Sequence, residues 1–349
     1  MIYLAGWAAA YSVLFVQAIT RYKGPVLIFG VILFFASIAF FRGTVGTDTG
    51  TYGVAFSRYL DSAWNGQEPG FIVLGAALTA LFQDATLAVR AVALVFFFLA
   101  AVYIKRADQN EKFFFLAYVL PLMGYQYSMN IIRDGLATII VILAVQAFRK
   151  GSFKRAFFTG IPAIFFHYSS LFSLSYIAIS QRPWLRFLSV AYTLGLLVFS
   201  TLAFLVAELY FVEKALLYAP EAEAKGSSQV VASLFGFFRV SIILGVLLFG
   251  KLPTGEKLKL IVLGELFLLT AAFVSQYSYA GIRLYLLVSI VCPLSILASY
   301  SRLGLKFERG LKAALIASSL LGAAAAYKGF LSTKGQNLHA FLPYDTWLW

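Results

Sequence analysis

Seven ionisable residues lie within stretches of the sequence that are otherwise apolar: Arg90, Arg133, Asp134, His167, Arg239, Glu265 and Arg283. A charge at the centre of a membrane-spanning helix costs about 2.5–3.5 kcal/mol on insertion scales, so each of these side chains needs a compensating contact. The contact can be structural, such as an ion pair between helices or an arginine that reaches the lipid headgroups. It can also be chemical, because such residues line binding and catalytic sites in membranes.

Two of the arginines, Arg133 and Arg283, are placed to bind an anion. Arg133 lies three residues into a helix predicted to open at Asn130, and Arg283 lies two residues past Gly281. Both therefore sit at helix ends on one side of the membrane. A guanidinium stays charged and presents a planar fork of donors, so a pair of them can clamp a phosphate or pyrophosphate. The alternatives are contact with lipid headgroups or, for Arg133, pairing with a neighbouring acid.

His167 is the first candidate for a general base. It follows Pro162 in the same apolar segment and is flanked by hydroxyl-bearing residues. An imidazole can take a proton from a hydroxyl group near neutral pH, although a lone histidine can also be a packed core residue. Asp48 is the second candidate, because it is the one carboxylate of the Gly- and Thr-rich loop over residues 43–52, whose backbone can approach a ligand closely.

The remaining ionisable residues are less informative. Arg239 and Glu265 lie deeper in their segments, where pairing between helices and a part in the site are equally open interpretations. Arg90 and Asp84 flank a short turn between two apolar segments. We predict that both lie at the membrane interface.

The composition requires a membrane. Of 349 residues, 61% are hydrophobic and 12% are charged, with a mean hydropathy of +0.84, whereas soluble domains have about 45–50% apolar and about 25% charged residues. Soluble enzymes, nucleic-acid-binding proteins and disulfide-stabilised secreted domains are therefore excluded. A lone cysteine, Cys292, supports neither a disulfide nor a cysteine-ligated metal, and the sequence has no P-loop, nucleophile elbow or zinc-ligand spacing. We expect no metal and no cofactor.

Twelve apolar segments account for most of the chain, and most of them approach the ~20 residues that a helix needs to cross a bilayer. They lie near residues 1–19, 25–41, 69–83, 86–104, 113–129, 130–148, 156–180, 184–209, 232–249, 258–277, 281–299 and 311–331. The segments lack the alternation of β-barrel strands. We therefore predict an all-α, polytopic membrane protein in which residues 1–349 form a single transmembrane domain.

The distribution of Lys and Arg predicts the sidedness of the loops, because positive charge accumulates on the cytoplasmic side. Eighteen of the 28 lie in six loops that we place inside: 20–24, 105–112, 149–155, 182–186, 250–259 and 302–312. Six lie in the segments that we place outside: 42–68, 208–231 and 328–349, which includes an outer tail over 332–349.

This sidedness leaves two segments that do not cross the membrane fully. One is the short segment 69–83, and the other is 156–180, which carries Pro162 and the polar run His167–Ser170. We predict that both are re-entrant or broken helices lining a cavity. About ten full crossings follow, with both termini outside.

Several short motifs occur in an order and spacing that resemble the bacterial Wzy/EpsG-like polymerases of O-antigen and exopolysaccharide. They are Gly46–Asp48 with Tyr52, Glu68–Phe71, Asn130–Ala137, Arg149–Lys150 before Phe157, Phe166–Leu171, Arg283 with Tyr285, and Pro343–Tyr344. The resemblance covers nearly the whole chain. Two positions depart from the pattern, because the family often has Arg-Gln where this chain has Arg133-Asp134, and Asp-Tyr where it has Asp48-Thr49.

The resemblance implies a fold like that of C-type membrane glycosyltransferases and a metal-independent glycosyl transfer at the periplasmic face of the bacterial inner membrane. Undecaprenyl pyrophosphate would carry both donor and acceptor repeat units, the pyrophosphate would be the leaving group, and the anomeric centre would be inverted. A flippase and a chain-length regulator would be partners, and nucleic acid would not. The candidate catalytic residues are then His167, Asp48 and Glu68, and the candidate substrate-binding residues are Arg133, Arg283, Arg239, Asn130, Tyr52, Tyr285 and Tyr344.

Two other functions remain open. A lipid-linked oligosaccharide flippase also needs a basic cavity, but it would present polar residues to both sides and often has internal repeats. A related membrane transferase, such as an O-antigen ligase or an acyltransferase, would share the site and use another acceptor.

Overall fold

The computed structural model describes residues 2–20, 24–43, 45–46, 48–59, 68–149, 153–181, 235–275, 280–331, 341 and 344–347. Helices make up almost all of this part of the chain, in which no strand occurs and one isolated bridge pairs Arg42 with Thr346. The predicted all-α class is therefore confirmed. The predicted segments 184–209 and 208–231 and most of the tail 332–349 lie outside the described residues.

Fourteen helices follow one another along the described chain. They are α1 (Ile2–Thr20), α2 (Val26–Phe40), α3 (Thr49–Arg58), α4 (Pro69–Phe82), α5 (Ala85–Arg106), α6 (Gln109–Phe114), α7 (Leu120–Met129), α8 (Ile132–Phe148), α9 (Phe153–Phe166), α10 (Ser170–Ser180), α11 (Phe235–Leu247), α12 (Thr254–Ser275), α13 (Ala280–Arg302) and α14 (Arg309–Leu331). A π-helical turn, Phe115–Val119, joins α6 to α7.

Among the residues that the structure describes, four helices are long and apolar enough to cross a membrane: α1, α5, residues Ile282–Arg302 of α13, and α14. The predicted total of about ten crossings stays a prediction.

The two segments predicted to cross incompletely form short helices. α4 has 14 residues, which at 1.5 Å per residue is about 21 Å and less than the hydrocarbon thickness of about 30 Å. The segment 156–180 is divided by a turn at His167–Ser169 into α9 and α10. The predicted break is thus confirmed at the polar run, whereas Pro162 lies inside α9 without ending it.

The first of two compact units comprises Met1–Ser170 and Ser319–Trp349. Its central element is α5, which packs against α2, α3, α4, α7 and α8. α5 begins directly after Asp84, whose carboxylate accepts hydrogen bonds from the backbone N–H groups of Thr86 and Leu87 at 2.7 and 3.1 Å. Such an N-cap satisfies donors that the first helical turn leaves unpaired. Beside α5, the ring of Phe35 in α2 stacks on Tyr125 in α7 with 4.5 Å between centroids.

One end of α5 gathers loops that the charge count places inside. Arg149, from the predicted loop 149–155, lies 2.9 Å from Glu111 and 3.1 Å from Asp108, and it donates to the carbonyl of Arg106 at 3.2 Å. All three partners belong to or adjoin the predicted loop 105–112. The two loops therefore share a face of the unit, as the prediction requires.

The other end of α5 gathers segments that the charge count places outside. Gly43 donates its N–H to the carbonyl of Asp345 at 2.7 Å, and Arg90 donates to the carbonyl of Gly43 at 3.3 Å. Arg90 and Arg106 are 16 residues apart on one helix, which is about 24 Å. Predicted outer segments and predicted inner loops thus lie at opposite ends of this unit.

The second unit comprises Leu171–Ser318. α12 and α13 form its main helix pair, and Tyr176 of α10 packs on Phe267 of α12 with 5.4 Å between ring centroids. The predicted inner loops 250–259 and 302–312 meet here too, because Glu256 lies 3.2 Å from Arg302.

Candidate active site

A buried carboxylate, Glu68, joins two of the residues that the sequence singles out. One oxygen, Oε2, lies 2.6 Å from Nη1 of Arg133, and the other, Oε1, lies 2.7 Å from Nδ1 of His167. Only 4% of Glu68 is exposed, whereas about a fifth to a quarter of the Arg133 and His167 side chains remains accessible. The buried acid therefore holds two partly accessible groups that can face a substrate.

Three helix ends bring these groups together. Glu68 directly precedes Pro69, a residue suited to the first position of a helix because its missing N–H would be unpaired there. Arg133 lies in the first turn of α8. His167 follows the last residue of α9, and its carbonyl accepts hydrogen bonds from the backbone and hydroxyl of Ser170 at 3.0 and 2.7 Å. The break between α9 and α10 is thus the feature that places the imidazole.

The start of α4 and the end of α9 approach so closely that glycine is required between them. A Cβ atom on Gly70 would lie 2.9 Å from both the carbonyl oxygen and the Cβ of Phe165. Any larger residue at position 70 would separate the two helices. The sequence Glu68–Phe71 therefore fixes the distance between the carboxylate and His167.

The charge on Glu68 is maintained by its partners. Burial by itself raises the pKa of this carboxyl, but the hydrogen bond with His167 and the positive charge of Arg133 outweigh burial and lower the pKa to about 2. Glu68 is therefore a carboxylate at neutral pH and accepts the Nδ1–H of His167. The other ring nitrogen, Nε2, is then the one with a lone pair, which is the arrangement that a general base needs.

Aromatic rings border the Arg133 side chain. Its guanidinium carbon lies 5.9 Å from the ring centre of Tyr52 and 6.0 Å from that of Phe71, and the two rings pack edge to face at 5.6 Å. Rings at this distance attract a cation through their negative faces. Tyr52, predicted to contact substrate, thus lies beside the predicted anion-binding arginine.

The loop that carries Asp48 is attached to the start of α8. The N–H of Asp48 donates to Oδ1 of Asn130 at 3.1 Å, and Gly46, at φ +108°, lies so close to Met129 that a Cβ would be 2.9 Å from its carbonyl oxygen. Only glycine adopts this backbone conformation without strain. The structure therefore brings Asp48, Asn130 and Tyr52 to the neighbourhood of Arg133.

Tyr344 lies in the first unit but in different surroundings. Its hydroxyl donates to the carbonyl of Ile38 at 2.9 Å, and its ring packs on Tyr3 with 5.8 Å between centroids. The described contacts of Tyr344 are with α1 and the end of α2, and a contact with substrate stays a prediction.

The remaining predicted site residues belong to the second unit. Arg239 is buried, and its Nε has no hydrogen-bond partner; Tyr285 is also buried, with an unpartnered hydroxyl. Arg283 is exposed. A Cβ on Gly236 would lie 3.4 Å from the ring of Tyr285, so α11 passes close to α13 at this level. Substrate binding by these three residues stays a prediction.

Sequence reasoning missed the burial of two arginines. Arg42 was counted as an outer loop charge and Arg90 was predicted to be interfacial, yet they are 0% and 8% exposed. The Arg90 guanidinium packs inside the unit, 5.6 Å from the ring centre of Trp347, and its position at the membrane interface stays a prediction. No local sequence pattern predicts these contacts, because Trp347 lies 257 positions after Arg90 in the chain.

The described residues contain no group of three His, Cys, Asp or Glu side chains arranged to hold a metal ion. The family model described as the EpsG family matches residues 26–346. No curated protein and no solved structure matches the chain.

Proposed function

Because this chain belongs to the EpsG family, whose model covers nearly its whole length, we propose that it is a polysaccharide polymerase that joins lipid-linked repeat units. The donor is a glycan on undecaprenyl pyrophosphate, and the acceptor is a second lipid-linked repeat unit. The reaction takes place at the periplasmic face of the bacterial inner membrane. A flippase supplies the repeat units and a chain-length regulator sets the product size.

The observation that carries this proposal is the contact of Glu68 with both His167 and Arg133. A carboxylate on Nδ1 orients an imidazole and stabilises the imidazolium that forms when Nε2 accepts a proton. A glycosyl transfer to a sugar hydroxyl needs such a base, because a hydroxyl group is a weak acid near neutral pH. The same carboxylate positions a guanidinium, which suits a phosphate-containing donor.

The proposed reaction is one displacement at the anomeric carbon of the donor sugar. Nε2 of His167 takes the proton of the acceptor hydroxyl, and the hydroxyl oxygen forms a bond to the anomeric carbon. The bond from this carbon to the pyrophosphate oxygen breaks, and its electron pair leaves with the pyrophosphate. Arg133 stabilises the negative charge that develops there. Attack opposite the leaving group inverts the anomeric centre.

Aromatic side chains complete the proposed site. Tyr52 and Phe71 border Arg133, and rings of this kind can pack on the apolar faces of sugars. Asp48 lies on the loop held by Asn130. In this proposal Asp48 contacts the acceptor and His167 is the base.

The test is turnover of purified protein in nanodiscs with lipid-linked repeat units. We expect His167→Ala to lower the rate by about 10²–10⁴ without loss of donor binding. Tyr168→Phe is the matched control, because Tyr168 is the exposed neighbour of His167 and its variant should keep the normal rate.

Three results would contradict the proposal in distinct ways. If Asp48→Asn abolishes turnover while His167→Ala does not, the base is Asp48 and His167 is a packed residue. If the protein moves lipid-linked glycans across the bilayer without joining them, it is a flippase. If it transfers the glycan to a different acceptor, it is a ligase or another transferase.

A further inference from the structure

A second pair of arginines, Arg42 and Arg90, lies at the outer end of α5. Arg42 follows α2 and is completely buried. Its Nη1 donates to the carbonyl of Ser128 at 3.1 Å, whereas Nε and Nη2 have no hydrogen-bond partner. A buried guanidinium with two unpartnered donors is costly, because burial removes the water that would otherwise bind them.

Arg90 reaches the same place from α5. Its Nη2 donates to the carbonyl of Gly43, the residue after Arg42, at 3.3 Å, and its Nε has no partner. Burial and the nearby charge of Arg90 lower the pKa of Arg42 to about 9. Two like charges are therefore close enough to affect one another, and three of their N–H-bearing nitrogens remain without an acceptor.

Asp345, an acid next to these arginines, does not satisfy their unpartnered donors. Its carbonyl accepts from the N–H of Gly43 at 2.7 Å, and its Oδ1 accepts from the N–H of Thr346 at 2.9 Å. The carboxylate lies against Gly43, where an added Cβ would collide with it. Its charge acts on Arg90, as does that of Asp84, but Nε and Nη2 of Arg42 and Nε of Arg90 stay without a hydrogen-bond partner.

We propose that Arg42 and Arg90 form a binding site for a phosphate-type anion, either phosphate or pyrophosphate. Two guanidinium groups present donors in planar forks that match the oxygens of such an anion, which would also neutralise the two like charges. The segment Tyr344–Trp347 covers this site, with Trp347 over Arg90. The anion replaces the carboxylate of Asp345 beside Gly43, so Asp345 is its competitor within the chain.

This anion site is separate from the group around Glu68 but adjacent to it. Tyr52 acts electrostatically on Arg42, and its ring also borders Arg133. The proposal concerns binding alone and does not depend on the proposed polymerase activity. It can therefore be tested without turnover, and its failure would leave the role of His167 unaffected.

The first experiment measures how inorganic pyrophosphate shifts the thermal unfolding of the detergent-purified full chain, since a ligand that binds the folded state stabilises it. We expect Arg42→Lys and Arg90→Lys to weaken this binding about tenfold or more, because lysine keeps the charge but lacks the fork. Arg58→Lys, at an exposed arginine of α3, should retain it. Equal binding by wild type and Arg42→Lys, or a loss in Arg58→Lys as large as that in Arg42→Lys, would overturn the proposal.

A second variant avoids dependence on the folding of the arginine variants. Asp345→Asn removes the competing charge and should tighten pyrophosphate binding several-fold. An unchanged affinity would overturn the proposal even if Arg42→Lys fails to fold.

The source of the anion is tested by competition. If nanodiscs containing undecaprenyl pyrophosphate displace inorganic pyrophosphate, the site takes a lipid headgroup. If pyrophosphate binds equally with and without the lipid, the site takes the free anion. Either result supports the site, whereas no binding of either ligand overturns it.

Discussion

The two carboxylate oxygens of Glu68 contact different groups. One contacts the guanidinium of Arg133 and the other contacts the imidazole of His167. Arg133 requires negative charge from the carboxylate, while His167 requires an acceptor that holds Nδ1–H in one orientation. Glutamine has almost the same size as glutamate but carries no charge. The substitution Glu68→Gln therefore removes the charge and one of the two acceptor oxygens without changing the packing. An amide can donate to Nδ1, which would shift the ring proton to Nε2 and remove the lone pair that a base needs.

We therefore predict that Glu68→Gln lowers kcat by about 10³–10⁴, comparable to the loss seen when the orienting carboxylate of a catalytic triad is made an amide. The donor should still bind, and this is measured by equilibrium binding to the variant in nanodiscs. A variant with a normal kcat would show that Glu68 only pairs with Arg133 for stability.

A different carboxylate, Glu111, sets a pH dependence of stability at the other end of α5. It is buried and accepts hydrogen bonds from Gln146 and Arg149. Burial, together with the charge of Asp108, raises its pKa from 4.5 to about 7. The folded protein therefore binds this proton more tightly than the unfolded chain does, and stability must fall as the pH rises from about 4.5 through 7.

The predicted result is that wild-type stability decreases between pH 5 and pH 8 more steeply than that of Glu111→Gln, by an amount on the order of 1–3 kcal/mol. Thermal unfolding of the detergent-purified protein across this range measures it. Parallel curves for the two proteins would mean that Arg149 keeps Glu111 ionised throughout.

The sequence predicted some of these residues and not others. Arg133 and His167 stand out because a charged or titratable side chain in an apolar segment needs a reason to be there. Glu68 was singled out only by resemblance, since it lies 65 residues from Arg133 and 99 from His167 and no local spacing links them. Arg42 resembled an ordinary loop charge because burial arises from distant parts of the chain.

At the level of helices, the contact of α7 with α8 depends on one glycine. A Cβ on Gly135 would collide with the carbonyl oxygen of Tyr127, a backbone atom that cannot rotate away. Gly30 in α2 has no atom within 4 Å of the corresponding position. A glycine-to-alanine substitution should therefore cause a steric clash at Gly135 and none at Gly30.

We expect Gly135→Ala to destabilise the protein by about 1–3 kcal/mol, the usual cost of overpacking, and to displace the start of α8 that carries Arg133. Gly30→Ala should be neutral or stabilising by about 0.5–1 kcal/mol, because alanine favours a helix. Thermal unfolding measures the stability of both variants. Equal stability of Gly135→Ala and Gly30→Ala would show that α7 and α8 can separate without cost.

Helix breaks were predictable where polar residues interrupt apolar ones. The run at His167–Ser170 indicated the division between α9 and α10, and the shortness of segment 69–83 indicated α4. Pro162 does not mark the break, because a proline inside a helix can be accommodated by its neighbours in a membrane protein. Close approaches such as that of Gly70 to Phe165 were not predictable, since they depend on how two helices pack.

For the molecule as a whole, the charge count made a prediction that single-cysteine labelling can test. In a Cys292→Ala background, a cysteine at Ser57 should react with a membrane-impermeant reagent from outside, and one at Ser152 should react only after the membrane is opened. Ser57 is exposed on α3, whereas Cys292 is buried. Labelling of the Ser152→Cys variant in intact cells would invert the assigned topology.

The grouping of loops within each unit agrees with that charge count. Contacts join 105–112 to residue 149 in the first unit, and 250–259 to 302–312 in the second. The accumulation of Lys and Arg on the cytoplasmic side predicts which loops share a side of the membrane, because it reflects how each segment is inserted. It does not predict which helices pack against each other.

The composition of the first unit has a consequence for biogenesis. Residues 319–349 belong with residues 1–170, although all of Leu171–Ser318 lies between them in the sequence. Tyr3 donates to the carbonyl of Phe341, and Trp347 donates to that of Phe40. Helices enter a membrane while synthesis continues, so the early helices wait in the bilayer until α14 and the segment after it emerge. Through that interval Arg42 lacks its contact with Thr346, and a fragment that stops before residue 319 lacks part of the first unit.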